Sequence, residues 1–135
     1  MRGCRRDDGF SLVELLVVVI ILGILAAIAV PIFLHQRQSA FRASLRSDLR
    51  NAALAVESAA TDRHGSYAWM TGGSEVASLP GVEFTPSEPT VRVATGAAGG
   101  TAKDYCVEAT DVRLGADEPW RYRKSEGHAL AGSCA

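Results

Sequence analysis

Apolar residues divide the chain into a hydrophobic N-terminal run and a mixed remainder. No charged side chain occurs from Leu15 to Leu34, where most positions are Leu, Ile, Val or Ala. About 20 apolar residues are enough for a helix to cross a bilayer. The pattern therefore predicts a membrane-spanning stem that is followed by a polar head.

A second helical pattern follows this run directly. Its apolar positions recur every three or four residues, at Phe41, Leu45, Leu49, Ala52, Val56 and Ala59. This spacing forms one stripe of an amphipathic helix. We therefore expect a single helix from Phe10 to about His64, roughly 80 Å long, with Gly65 as its C-cap. We expect a kink at Pro31, which lacks an N–H group, and a second weak point at Gly23.

The remaining residues alternate in the manner of short strands. The candidate strands are residues 82–84, 91–93, 104–112, 120–123 and 128–131. Gly and Pro separate these segments and indicate turns. The expected fold is α+β, with three or four antiparallel strands packed on the apolar stripe of the helix.

Composition limits the classes of function. A length of 135 residues allows one domain, and the net charge of −1 gives no general basic field for nucleic acid. Four arginines follow the apolar run: Arg37, Arg42, Arg46 and Arg50. A solvated helix face is the preferred interpretation, with binding to DNA or lipid phosphates as the alternative.

No pattern of catalytic or metal-binding residues stands out. His35, His64 and His128 are far apart in the sequence, without the spacing of metal ligands. The glycines from Gly96 to Gly100 precede no helix, so they do not form a phosphate loop. We expect no enzymatic activity, no metal and no cofactor.

Three aromatic residues of the head allow two interpretations. Trp69, Trp120 and Tyr122 fit packing against the sheet, which we prefer. Exposed aromatics for adhesion or for stacking on nucleic-acid bases are the alternative.

The N-terminus allows three interpretations: a cleaved secretory signal, a plain membrane anchor and a short leader that a dedicated peptidase removes. Glu14 lies inside the apolar run, and a charge at the centre of a membrane helix costs about 2.5–3.5 kcal/mol. A local explanation is a capping box between Ser11 and Glu14 at the helix start.

The string Gly9-Phe10-Ser11-Leu12-Val13-Glu14-Leu15-Leu16, after a short leader with arginines, favours the third interpretation. It resembles the class III signal of type IV prepilins and of type II secretion pseudopilins. The resemblance implies a cleaved leader (1–9), a transmembrane and polymerisation helix (10–34), its amphipathic continuation (35–64) and a β-rich head (65–135).

The resemblance also implies roles for individual residues. A prepilin peptidase that is also the N-methyltransferase cuts between Gly9 and Phe10 and methylates Phe10. Glu14 then pairs with the α-ammonium of Phe10 in a neighbouring subunit, because a carboxylate in an apolar bundle needs an opposite charge.

Two cysteines of the head form an even pair. Cys106 and Cys134 lie outside the leader, which holds Cys4, and a disulfide persists in an oxidising compartment. The bond would stabilise a small head by roughly 3–4 kcal/mol on a loop-entropy basis. A C-terminal disulfide loop also resembles many type IV pilins and modestly favours a pilus over a secretion system.

These observations predict a structural subunit of a type IV pilus, stored as a single-pass inner-membrane protein and then displayed at the cell surface. The expected partners are further pilins, the peptidase, an inner-membrane platform protein and an assembly ATPase that acts indirectly. Alternatives are a type II secretion pseudopilin, a minor pilin of DNA uptake and an anchored binding module. DNA stays open as a partner, although the sequence does not indicate it.

Overall fold

The computed structural model describes residues 10–115 and 118–134, so Gly9 and the rest of the expected leader lie outside it. The elements are α1 (Leu12–Thr61), a short 3-10 turn (Val76–Ser78), β1 (Val91–Thr95), β2 (Cys106–Asp111), β3 (Trp120–Arg123) and β4 (Ala129–Ala131). The chain divides after Arg37 into two compact units, the second of which begins at Gln38.

The long helix was predicted correctly, and it ends slightly earlier than expected. The helix continues through Pro31 without interruption. After Thr61 the chain turns with the Gly65 N–H donating to the Ala60 carbonyl at 2.9 Å. His64 takes the left-handed conformation at φ 55°, and Gly65 follows at φ 75°. The expected C-cap at Gly65 is therefore shifted, because the turn needs two successive left-handed residues and His64 is the first.

Four strands form one antiparallel meander in the order β1-β2-β3-β4. The register pairs Val93 with Ala109 and Val107 with Tyr122. Four of the five predicted segments therefore contain a strand.

The predicted strand at residues 82–84 is wrong. Gly81 turns the chain at φ 76°, and the Val82 N–H donates to the Leu79 carbonyl at 3.2 Å instead of to a neighbouring strand. Val82 is nevertheless buried. Its apolar character thus reflects burial in the core, which produced the same alternation as a strand.

The core lies between the second half of α1 and one face of the sheet. Leu45, Leu49 and Val56 are fully buried, and they face the inward side chains of the sheet, among them Val93 and Val107. The stripe in the sequence is therefore the face that packs on the sheet. The α+β architecture, with a helix on a four-stranded sheet, is confirmed.

The glycine-rich loop is packed closely against another loop. A Cβ on Gly100 would lie 2.0 Å from the Tyr67 carbonyl oxygen, and a Cβ on Gly72 would lie 2.0 Å from that of Ala97. The Tyr67 N–H donates to the Thr101 carbonyl at 3.0 Å. Glycine is needed here because two backbones approach more closely than any side chain permits.

Candidate functional site

The first half of α1 presents an uncovered apolar surface. Every large apolar side chain from Phe10 to Leu34 is between 48% and 84% exposed. The helix includes an 18-residue window with a mean hydropathy of 3.2, none of it buried. Burial of apolar side chains is the main stabilising force in water, so this surface requires a bilayer or other apolar helices around it.

One acidic residue interrupts this surface. Glu14 lies in the first turn of α1, one turn after Phe10, which is 84% exposed. The Leu15 N–H donates to the Ser11 carbonyl at 3.2 Å. Among residues 10–115 and 118–134, the Glu14 carboxylate has no hydrogen bond or ion pair, so the capping-box explanation gains no support. An unpaired carboxylate in an apolar environment is unfavourable until a cation reaches it.

Gly23 and Pro31 both lie inside the continuous α1. A Cβ on Gly23 would meet nothing within 4 Å, so no neighbouring side chain of this copy requires glycine there. The kink expected at Pro31 stays a prediction.

The structure joins Cys106, at the start of β2, to Cys134 near the C-terminus, with their Cα atoms 5.9 Å apart. The Cys134 N–H donates to Glu108 Oε2 at 3.1 Å. A Cβ on Gly96 would lie 2.5 Å from the Cys134 Cβ, so this glycine gives the disulfide room. The bond thereby fastens the C-terminal segment to the sheet.

A charged cluster links α1 to the loop after it and to the residue that follows β3. The Tyr67 hydroxyl donates to Glu57 Oε2 at 2.5 Å, and the Lys124 ammonium donates to the same hydroxyl. Burial raises the pKa of Tyr67, and the Glu57 carboxylate adds to the effect. The hydrogen bond to Tyr67 raises the pKa of Lys124. The cluster holds the helix end against the sheet, and its residues were not identified from the sequence because they are far apart in it.

A second charged cluster, formed by Asp111, Arg113 and the ring of Phe41, lies at the end of β2. Arg113 Nη2 donates to Asp111 Oδ2 at 2.6 Å, and the Arg113 guanidinium lies 4.0 Å from the centre of the Phe41 ring. The Asp111 side chain is 0% exposed. The hydrogen bond from Arg113 lowers the pKa of Asp111 in spite of this burial. This second cluster therefore connects the sheet with the first turns of α1 in the head.

A buried carboxylate on α1 holds the loop before β1. Asp48 is buried and accepts hydrogen bonds from the Ser87 N–H at 3.2 Å and from the Ser87 hydroxyl at 2.8 Å. Its charge is thus stabilised by hydrogen bonds from a loop.

Several arginines and aromatics that were considered as a ligand surface make contacts within the head instead. Arg46 lies 4.7 Å from the Trp120 ring centre, and Arg42 makes an ion pair of 2.9 Å with Glu118. Trp69 Nε1 donates to the Ser66 carbonyl at 2.7 Å. These contacts favour the packing interpretation of the aromatics over a nucleic-acid surface.

Within residues 10–115 and 118–134, no group of three or more His, Cys, Asp or Glu side chains is placed to hold a metal ion. Two features of the described residues are of functional interest: the uncovered helix with Glu14 and the surface of the head.

Comparison with known proteins agrees with the N-terminal motif. A family model described as the prokaryotic N-terminal methylation motif matches residues 4–30. The type IV major fimbrial protein FimA of Dichelobacter nodosus is 35% identical over 105 residues, which cover 78% of this chain and 66% of that protein. No solved structure is significantly similar to the chain.

Proposed function

Because the chain belongs to the type IV pilin family, we propose that it is a structural subunit of a type IV pilus and polymerises through α1. The observation that carries the proposal is the uncovered apolar surface of α1, interrupted by the single carboxylate of Glu14. Such a surface is stable in a bilayer, and it is equally stable when copies of the same helix surround it.

Cleavage of the leader creates the positive charge that the Glu14 carboxylate lacks among the described residues of one copy. Cleavage after Gly9 makes Phe10 the N-terminus, and methylation of its amine leaves the positive charge in place. Glu14 of one subunit then pairs with the Phe10 ammonium of its neighbour, which removes the cost of an unpaired carboxylate in an apolar bundle. The pairing also fixes the register between neighbouring helices.

The subunit is stored in the inner membrane through α1, with its head outside, and it leaves the membrane as the fibre grows. The partners of this cycle are the prepilin peptidase and N-methyltransferase, the platform protein and other pilins. The Cys106–Cys134 bond suits a head that works in an oxidising compartment.

The first experiment identifies the mature N-terminus and tests assembly. Mass spectrometry of the membrane form should show a chain that begins with methylated Phe10. Glu14→Ala should be cleaved normally and should not enter fibres, whereas the matched control Glu75→Gln, which removes an exposed acid of the head, should assemble normally.

Normal assembly of Glu14→Ala would refute the pairing. A membrane form that still begins at Met1 would refute the processing. Loss of protein secretion without loss of surface fibres, after deletion of the gene, would favour the pseudopilin alternative.

A further inference from the structure

We infer that the head has its own contact with a second copy, centred on Leu54, in which Arg50 of one copy pairs with Glu83 of the next. The inference rests on the proposed function, because it concerns neighbouring subunits of the same fibre. It differs from the pairing of Glu14, which lies in the other unit of the chain.

The first observation is an apolar side chain in an unexpected place. Leu54 is 68% exposed, although its helix neighbours Ala53 and Val56 are buried. Beyond the apolar run that ends at Leu34, the described head exposes only one other large apolar side chain, that of Val112. A single exposed apolar side chain is common on protein surfaces, so Leu54 indicates a contact only together with the grooves and the charges beside it.

The second observation is the shape around Leu54. This side chain forms a ridge between two open grooves. One groove has a volume of about 520 Å³ and is bordered by Asn51, Ser58 and Glu83. The other has a volume of about 260 Å³ and is bordered by Arg50 and Tyr122. A ridge with a groove on each side allows the ridge of one helix to pack into the groove of another.

The third observation is the charge on the two sides. Arg50 borders one groove and Glu83 borders the other, and both residues are exposed. Within the described parts of the chain, neither side chain has a hydrogen bond or an ion pair. Most other arginines of the head are engaged, as in the ion pairs Arg42–Glu118, Arg92–Glu75, Arg113–Asp111 and Arg121–Glu126.

These charges identify the partner as a second copy of this chain. Arg50 on one side of Leu54 in one copy matches Glu83 on the other side in the next copy, with Leu54 covered between them. Glu57 also lines the groove beside Arg50, but within its own copy it is bound by Tyr67 and Lys124. A contact that uses two different surfaces of the same molecule leaves one of each surface free at its ends, and it extends into a fibre when the rotation between copies does not close a ring. A small ligand or an unrelated protein would not require both charges on one molecule.

Charge reversal tests this contact in fibres formed by the full chain. Arg50→Glu and Glu83→Arg should each lower the amount of sedimentable pili about tenfold, because each variant places like charges opposite one another at every subunit. The double variant restores opposite charges and should recover assembly to within about threefold of the wild type. Lys103→Glu, an exposed reversal elsewhere on the head, is the matched control and should assemble normally.

Two further measurements separate assembly from folding. Leu54→Gln should lower fibre yield while leaving the Tm of the detergent-solubilised subunit nearly unchanged, because Leu54 is exposed in a single copy. Arg50→Cys and Glu83→Cys, expressed together, should give a cross-linked pair of subunits on oxidation, and neither variant alone should give it.

The outcomes distinguish this inference from the proposed function. Normal assembly of both single reversals, or a double variant no better than the single ones, would overturn the head contact. A cross-link to a different protein instead of to a second copy would also overturn it. In those cases, wild-type fibres and the Glu14→Ala defect would leave the proposed function standing, whereas absence of wild-type fibres would remove both.

Discussion

The two halves of α1 bury their apolar side chains in different ways. In the first half, every large apolar side chain is at least 48% exposed, whereas in the second half Leu45, Leu49 and Val56 are fully buried. The sheet of the same chain covers the second half. One helix can therefore serve two environments, with its own head as one and a bilayer or other copies as the other.

The halves also treat their acidic residues differently. Asp48 is buried and receives hydrogen bonds from Ser87. Glu14 has no such donor among the residues that the structure describes. The comparison shows a buried carboxylate of the head that is satisfied on folding, whereas the carboxylate of the stem gains its partner only in the assembly proposed above.

Removal of the disulfide should give the largest difference between the halves. Cys106→Ser with Cys134→Ser frees a segment closed over a sequence separation of 28 residues, and the head should lose about 3–4 kcal/mol of stability. Circular dichroism in detergent should show early melting of the head while helical signal from the stem persists. Equal melting of wild type and variant would contradict the role assigned to the bond.

The same substitution should change the stability of the head strongly in one half of α1 and very little in the other. Leu49→Ala removes a fully buried side chain and should destabilise the head by about 3 kcal/mol. Leu25→Ala, where the leucine is 58% exposed, should change head stability by less than about 0.5 kcal/mol. Urea unfolding in detergent, followed by tryptophan fluorescence, measures both, and a large effect of Leu25→Ala would mean that the stem contributes to the head fold.

Periodic patterns were readable from the sequence because they arise from local geometry. The stripe that includes Leu45 and Leu49 recurs with the helical period, and the alternation around Val93 follows the pleat of a strand. Residues 82–84 alternate as well, but Gly81 directs them into a loop, so alternation alone did not establish a strand.

Contacts between distant segments could not be read in this way. Glu57, Tyr67 and Lys124 meet only after the head has folded, and no local pattern marks them. The pairing proposed for Glu14 was suggested by the motif around Gly9 and Phe10, since an unpaired carboxylate in an apolar run is conspicuous in the sequence itself.

The ion pair between Asp111 and Arg113 at the end of β2 gives a prediction that depends on pH. The bond from Arg113 holds the pKa of Asp111 below its usual range, so its folded pKa lies below the unfolded value of about 3.9. The stabilisation is therefore present above about pH 4 and is lost as the pH falls through the folded pKa. Asp111→Asn should cost about 2 kcal/mol at pH 7, and its difference from the wild type should shrink near pH 3.

Urea unfolding at the two pH values checks this sign. Glu75→Gln is the matched control, because the Glu75 side chain is 53% exposed in its pair with Arg92, and it should change stability by less than about 1 kcal/mol at either pH. An Asp111→Asn effect that grows on acidification would contradict the assigned direction of the pKa shift.

The end of α1 offers the smallest effect and an increase in stability. His64 is exposed and holds φ at 55°, a conformation that costs a residue with a Cβ about 1–2 kcal/mol. His64→Gly should stabilise the head by about 0.5–1 kcal/mol, since the greater freedom of glycine in the unfolded chain offsets part of the gain. Gly65→Ala, at φ 75°, is the reverse experiment and should destabilise by about 1 kcal/mol. Urea titrations of the two variants and the wild type measure these changes in the free energy of unfolding. A loss of stability in His64→Gly would mean that the imidazole stabilises the turn by more than its backbone strain destabilises it.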